Sequence, residues 1–308
     1  MKKFVVKVLL FFALVAILDV SIGDFGNYIQ SHAKGGATRT LNDLVKNDVH
    51  DILVFGSSRA HSHYDTPFLS DTLGLDVYNA GYDGNGIIFS YGIFELIVER
   101  YHPKLIIYDV EPAFDINVYN PDHSNRRYLN MLKPYYKHNS VAGIIKEITL
   151  EEWLVVHSGM IRYNSKLLSA ILDFYTGNNR FKKGYKPLQG VYAPPSSITK
   201  DNRTEYPLAN QIDTIKLKYV RSFLSKAQTL NIPIILVASP KFEAKSSSVF
   251  KPIKNICSEY NIPFVDCYTD SIISHNNNYF NDPMHMNKNG ARMFSKVIVN
   301  EMRNQLSK

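Results

Sequence analysis

Three short stretches carry side chains suited to attacking a carbonyl and moving a proton. The first, 55-FGSSRAHSHYD-65, follows an apolar run and offers Ser57, Ser58, Arg59, His61 and His63. The second, 78-YNAGYDGNG-86, is rich in glycine, and the third, 282-DPMH-285, sets an aspartate three residues before a histidine. Ester attack needs a serine, a base that takes its proton, and an acid that orients the base. His285 suits the base, because a free imidazole titrates near 6.5, and Asp282 is close enough in sequence to hold it. Attack also builds an oxyanion that backbone N–H groups must meet. A serine directly after a strand supplies its own N–H, and Gly81 lets a second approach without a side chain in the way. Taken singly, each stretch also reads as ordinary structure: a Gly-Ser-Ser turn, glycine punctuation, a chance Asp-x-x-His. Their joint placement favours chemistry.

That placement follows from the elements around them. Five apolar runs read as strands: 51–56, 75–80, 104–110, 232–239 and 262–268. Three of them are near-continuous in apolar residues, which suits strands buried on both faces of a parallel sheet. Helical spacing follows at 86–101, 210–228, 249–260 and 288–306, with Pro252 suited to a first turn. Alternating strands and helices give a three-layer α/β/α sandwich on a five-stranded, mainly parallel sheet. The three stretches then fall at the carboxyl ends of strands, where such sheets place their sites. Residues from about 112 to 207 break the alternation and read as a partly helical insert, either a cap that shapes a substrate site or a face that packs on an anchor or partner. Tyr135 and Tyr136 within it suit sugar stacking or a buried aromatic cluster.

The other polar residues keep two readings each. Arg59 fits an anionic substrate group or an internal ion pair. Asp83 can pair with Arg59 or a histidine, and Asp109 and Glu111 end the third strand as site acids or as caps. His61 and His63 form a His-x-His without a convergent third ligand, so they line a pocket or a turn and no metal is expected.

The N-terminus, 1-MKKFVVKVLLFFALVAILDVSIG-23, places three lysines before or beside an unbroken apolar run. That is an export signature. Residues 1–23 read as an uncleaved anchor, with a cleaved signal and a secreted or periplasmic protein as the alternative. Residues 24–46 read as a stalk and 47–308 as the main domain. The net charge of +7 comes without a compact Lys/Arg run, so nucleic acid is not an expected partner. Cys257 and Cys267 read as two buried thiols in preference to a disulfide.

These blocks resemble the SGNH/GDSL hydrolase family. Gly56-Ser57-Ser58 matches its first block, with Ser58 in the nucleophile position; Asn79-Ala80-Gly81 matches the second; Asp282 to His285 matches the last. The resemblance implies a flavodoxin-like SGNH fold, a Ser58–His285–Asp282 triad, an oxyanion hole from Ser58 and Gly81, and no cofactor. The third block departs: the family's Gly-x-Asn-Asp is replaced by 108-YDVEP-112, so its Asn donor is missing. Asn79, Asn85 and Arg59 are candidate substitutes, and Arg59, Asn79, Asp83 and His63 are candidate substrate contacts. Gly-Ser-Ser with an N-terminal membrane segment is similar to the DltD-like, acyltransfer-associated branch. That implies an extracytoplasmic esterase or O-acyltransferase on an envelope glycan or polymer, or a non-catalytic accessory that binds the polymer or a membrane-bound O-acyltransferase. An α/β-hydrolase elbow, Gly-x-Ser-x-Gly, is not matched, because Ala60 stands at its last position.

Overall fold

A computed structural model describes residues 1–118, 125–164, 166–177, 181–194 and 211–307 of the 308-residue chain. Its internal contacts divide it into two compact units, 1–47 with 125–180 and 48–124 with 181–308.

The first unit is helical. Its elements are α1 (Lys2–Ser31) and α2 (Gly36–Asn42) from the N-terminal part, and α7 (Asn139–Ile148), α8 (Leu150–Val155), α9 (Gly159–Tyr163) and α10 (Leu167–Tyr175) from the insert. α1 is long and apolar enough to cross a membrane, and its N-terminal position also fits a signal sequence. The stretch expected to be a stalk differs from that expectation. Residues 24–31 continue α1, and α2 buries Thr38, Leu41 and Asn42. The helix expected across 140–156 breaks at Thr149, whose backbone is extended between α7 and α8. Tyr135 is buried with its hydroxyl on Asn42 Oδ1 (2.9 Å), and Tyr136 packs edge-on against His157 and under the Arg162 guanidinium. Tyr135 is thus buried and Tyr136 half-buried within the first unit.

The second unit is a three-layer α/β/α sandwich. Its strands are β1 (Ile52–Gly56), β2 (Val77–Asn79), β3 (Leu105–Asp109), β4 (Ile234–Ala238) and β5 (Phe264–Asp266), all parallel in the order β2-β1-β3-β4-β5. This is the flavodoxin-like doubly wound order, whose switch point lies between β1 and β3. β1, β3 and β4 are buried at every position, which explains their continuous apolar runs. Successive side chains still divide between two cores. Ile52 and Val54 face a cluster with Phe294, Ile298 and Met302 of α13 (Lys288–Leu306), alongside α3 (Ser58–His63) and α4 (Thr66–Leu73). Phe55 instead meets Phe94 of α5 (Ile87–Val98) and Phe223 of α11 (Thr214–Thr229), with the last two rings stacked at 4.5 Å. The short α6 (Pro112–Asp115) follows β3, and α12 (Lys251–Glu259) takes Pro252 in its first turn.

Side-chain caps fix where the site-bearing helices begin. Asn287 Oδ1 accepts from the N–H groups of Asn289 (3.0 Å) and Gly290 (3.1 Å) at the head of α13. Asp213 does the same for α11, and Asp65 for α4. Of the expected insert, residues 125–180 belong to the first unit and 181–194 to the second. Residues 112–118 also belong to the second unit, and 119–124 and 195–207 lie outside the described residues.

Candidate active site

Ser58 is the first residue of α3, directly beyond the carboxyl end of β1. The turn between them depends on Gly56. Its φ of 140° is open to glycine, and a Cβ there would lie 2.6 Å from the Asp109 carbonyl oxygen. The tight turn leaves Ser57 buried, its Oγ without a hydrogen-bond partner among the described residues, and brings Ser58 out toward the loop that follows residue 281. Ser58 Oγ donates to His285 Nε2 at 2.8 Å. On the far side of the ring, His285 Nδ1 lies 2.9 and 3.0 Å from the two Asp282 oxygens. Asp282 Oδ1 also accepts the backbone N–H groups of Met284 (2.8 Å) and His285 (3.0 Å).

The electrostatics fix the tautomer. Partial burial raises the Asp282 carboxyl, but hydrogen bonding and charge from His285, with the two backbone N–H groups, bring it down to about 2. An ionised Asp282 only accepts, so His285 carries a proton on Nδ1, and it is the ring with that one proton that turns a bare Nε2 to Ser58.

The glycine turn is arranged differently from expectation. The Gly81 N–H donates to the side chain of Asn79 (2.9 Å), so this donor is held within its own turn. Asn79 in turn donates to the Ala60 carbonyl (2.7 Å) and is 2% exposed, which makes it a brace for α3 and not a substrate contact. The Ser58 N–H stands in the first turn of α3, where helix N–H groups have no intrahelical acceptor. Asn85 Nδ2 is turned to the Asp83 carbonyl (3.2 Å).

Two other candidate substrate contacts are corrected by burial. Arg59 is 1% exposed and its guanidinium binds Glu111 (2.8 Å), Ser239 Oγ (3.0 Å) and the Ser239 carbonyl, over the face of Tyr268. It is an internal ion pair and cannot meet substrate or substitute for the missing Asn. Glu111 and Asp109, the strand-end acids, are likewise buried. His63 is fully buried, and burial with the charges of Arg59 and His285 holds its ring well below the ordinary value, hence neutral. Its Nδ1–H donates to Ser239 Oγ (2.9 Å) and its Nε2 accepts the Met286 N–H (2.9 Å). His63 therefore fastens the helix that carries Ser58 to the residue after His285. His61 pairs with Asp83 (2.9 Å), which also pairs with Lys186. Burial opposes the Asp83 charge, but these two partners carry its carboxyl well below the usual range. Asp83 keeps 43% of its side chain exposed, so among the four candidate contacts it is the accessible one. Cys257 and Cys267 are free thiols, each pushed up to about 12 by burial.

Residues 184–192 bridge the two halves of the site, a role the sequence did not suggest. Lys186 N–H donates to the His61 carbonyl (2.9 Å), Leu188 accepts the Lys288 N–H (2.8 Å), Gly190 binds Asn281 and Asn287, and Tyr192 N–H donates to Phe280 (2.7 Å). The strap thus touches α3 three residues past Ser58 and both flanks of the Asp282–His285 loop.

Asp109 gives this scaffold a pH signature. Burial raises its carboxyl to about 6 from an ordinary 3.8, against the lowering by Arg59 and the nearby Ser239 and Tyr64 hydroxyls. Neither oxygen makes a hydrogen bond of normal geometry among the described residues. Between those two values the folded chain keeps a proton that the unfolded chain has lost, so stability falls as pH rises through this window. At about 1.4 kcal/mol per pH unit the fall is about 3 kcal/mol. Asp109→Asn should remove that slope. Chemical unfolding at about pH 4 and pH 7 checks it, and an unchanged difference between the two pH values in the variant contradicts it.

No family model matches the chain, and no curated protein does. Solved structures resemble it distantly. A psychrotrophic esterase from Pseudoalteromonas sp. is similar at 11% identity over 83% of this chain and 98% of its own, with a TM-score of 0.44. An acetyl xylan esterase is similar at 12% identity over 82% and 98%, with a TM-score of 0.39. A GDSL-like lipase from Bacteroides thetaiotaomicron is similar at 10% identity over 82% and 87%, with a TM-score of 0.37. At scores this low the chemistry of the site rests on its own side chains: a serine hydroxyl, an imidazole and an ionised carboxylate in one hydrogen-bonded line.

Proposed function

We propose that the chain is a membrane-anchored, SGNH-type serine enzyme that forms and resolves an acyl ester on Ser58. The single observation behind this reading is the Ser58–His285–Asp282 line. Ser58 Oγ attacks the ester carbonyl as its proton passes to His285 Nε2, and Asp282 steadies the imidazolium. The tetrahedral oxyanion forms beside the Ser58 N–H. It collapses, the departing alkoxide takes the proton from His285, and an acyl-Ser58 remains. Water or a sugar hydroxyl then gives its proton to His285 as it attacks the acyl carbon, and the bond to Ser58 Oγ breaks as His285 returns that proton to the serine. Water as acceptor makes an esterase; a hydroxyl of an envelope glycan or polymer makes an O-acyltransferase. The second outcome matches the DltD-like resemblance, in which a membrane-bound O-acyltransferase is the partner and the main domain lies outside the cytoplasmic membrane. The full-length protein in detergent should turn over an activated acetyl ester, and Ser58→Ala should not.

A second reading, a non-catalytic accessory that binds the polymer or the acyltransferase, draws on two observations: the Gly81 N–H is engaged by Asn79, and the third block lacks its Asn donor. Under that reading Ser58→Ala leaves envelope acylation unchanged at equal protein level.

A further inference from the structure

The first unit exposes apolar side chains that its own packing does not cover. Leu150 and Leu154 on α8, Met160 and Ile161 on α9, and Leu168 and Leu172 on α10 are 45% to 72% exposed. α9 and α10 pack on α1, and α8 leads into α9. The Asp19 carboxylate, at the end of the apolar run, accepts from Ser158 Oγ (2.6 Å), the Gly159 N–H (3.1 Å) and the Met160 N–H (2.9 Å), closing the turn into α9. Gly23 and Gly159 let the two backbones touch. Gly26 seats the Tyr163 ring, whose hydroxyl donates to Asn27 Oδ1 (2.8 Å). Met160 therefore stands at the height of residue 19 of α1, where the apolar run ends, with Ile161 beside it.

The length of that run says what lies at this height. From Phe4 to Leu18 a helix rises about 22 Å at 1.5 Å per residue, short of a hydrocarbon core of about 30 Å. The missing depth falls on the next two turns of α1, where Val20 and Phe25 are 61% and 50% exposed. Those turns are the ones that carry α9. Trp153 lies between Leu150 and Leu154, half-buried, with the Lys146 ammonium 5.2 Å from its ring, a pairing suited to a membrane boundary.

We propose that α8, α9 and α10 seat the first unit in the outer boundary of a phospholipid bilayer that α1 crosses, and that α1 is retained in the mature protein. Cleavage after Ser21 or Gly23 would remove the carboxylate that closes the turn into α9. The inference does not depend on the chemistry of Ser58.

Trp153 is the chain's single tryptophan and reports on the face directly. The full chain is reconstituted in phosphatidylcholine vesicles with or without brominated acyl chains. Trp153 should lose about half its fluorescence to the bromines, as for an indole roughly 5–10 Å into the boundary. The Leu150→Glu/Leu154→Glu variant, still inserted through α1, should lose that quenching. Free access of acrylamide to Trp153 without bromine quenching overturns the proposal. Shielding from acrylamide without bromine quenching also overturns it, because a second copy of the chain then covers the face. Intact mass of protein taken from membranes should include residues 1–23; a chain beginning after them contradicts retention of α1.

Discussion

His285→Ala should lower acetyl-ester turnover by about a thousand- to ten-thousandfold, with the protein still folded. The variant leaves Ser58 without an acceptor at 2.8 Å and Asp282 without its ring partner. At neutral pH a serine hydroxyl with no base is almost entirely un-ionised, so attack on the carbonyl carries the full barrier of separating the proton. A loss of this size is about 4–5 kcal/mol in the transition state. Folding should be little affected, because the His285 side chain is 27% exposed and Met286, held by His63, keeps the loop in place. Steady-state kinetics with circular dichroism on the same sample checks both halves. Turnover within tenfold of wild type would mean that His285 is not the base.

Arg59→Met should destabilise the second unit by about 3–5 kcal/mol, the usual cost of leaving a buried partner charge alone. Glu111 loses the guanidinium at 2.8 Å, Ser239 loses two donors, and Asp109 loses the nearest positive charge. For a unit of this size that is a fall in melting temperature on the order of 10 °C. Arg59→Met with Glu111→Leu should recover most of the loss, since the penalty lies in the stranded carboxylate more than in the missing pair. Thermal melts of the single and double variants decide it. If the single variant melts with wild type, Arg59 is not the structural ion pair described above.

These two residues also show what the sequence made legible. β1, β3 and β4 were readable because burial on both faces forces unbroken apolar runs. α13 was readable because one apolar stripe must face the sheet. Asp282 and His285 could be paired because three residues of chain bring them together on one loop. Arg59 could not be assigned, because the partner that decides its role, Glu111, lies 52 residues away on another strand end. His63 was harder still: Ser239 and Met286 are 176 and 223 residues distant. The segment 58-SRAHSH-63 looked like a polar turn because it has no apolar stripe. It is a helix that buries Arg59, Ser62 and His63, the first and last of them against residues far away in the chain. The end of α1 was misplaced for a related reason. Hydropathy drops at Asp19, yet that carboxylate is engaged by the head of α9, and the helix continues to Ser31.

The proposed acyl chemistry depends on Ser58 as the nucleophile. The most direct measurement is mass spectrometry of the full-length protein after exposure to an activated alkylphosphonate, which phosphonylates a serine only when a base takes its proton. The expected result is one adduct per chain on the peptide carrying Ser58, absent in Ser58→Ala and strongly slowed in His285→Ala. No adduct on the wild-type protein, under conditions that fully label a control serine esterase, or an adduct that persists in Ser58→Ala, would contradict it.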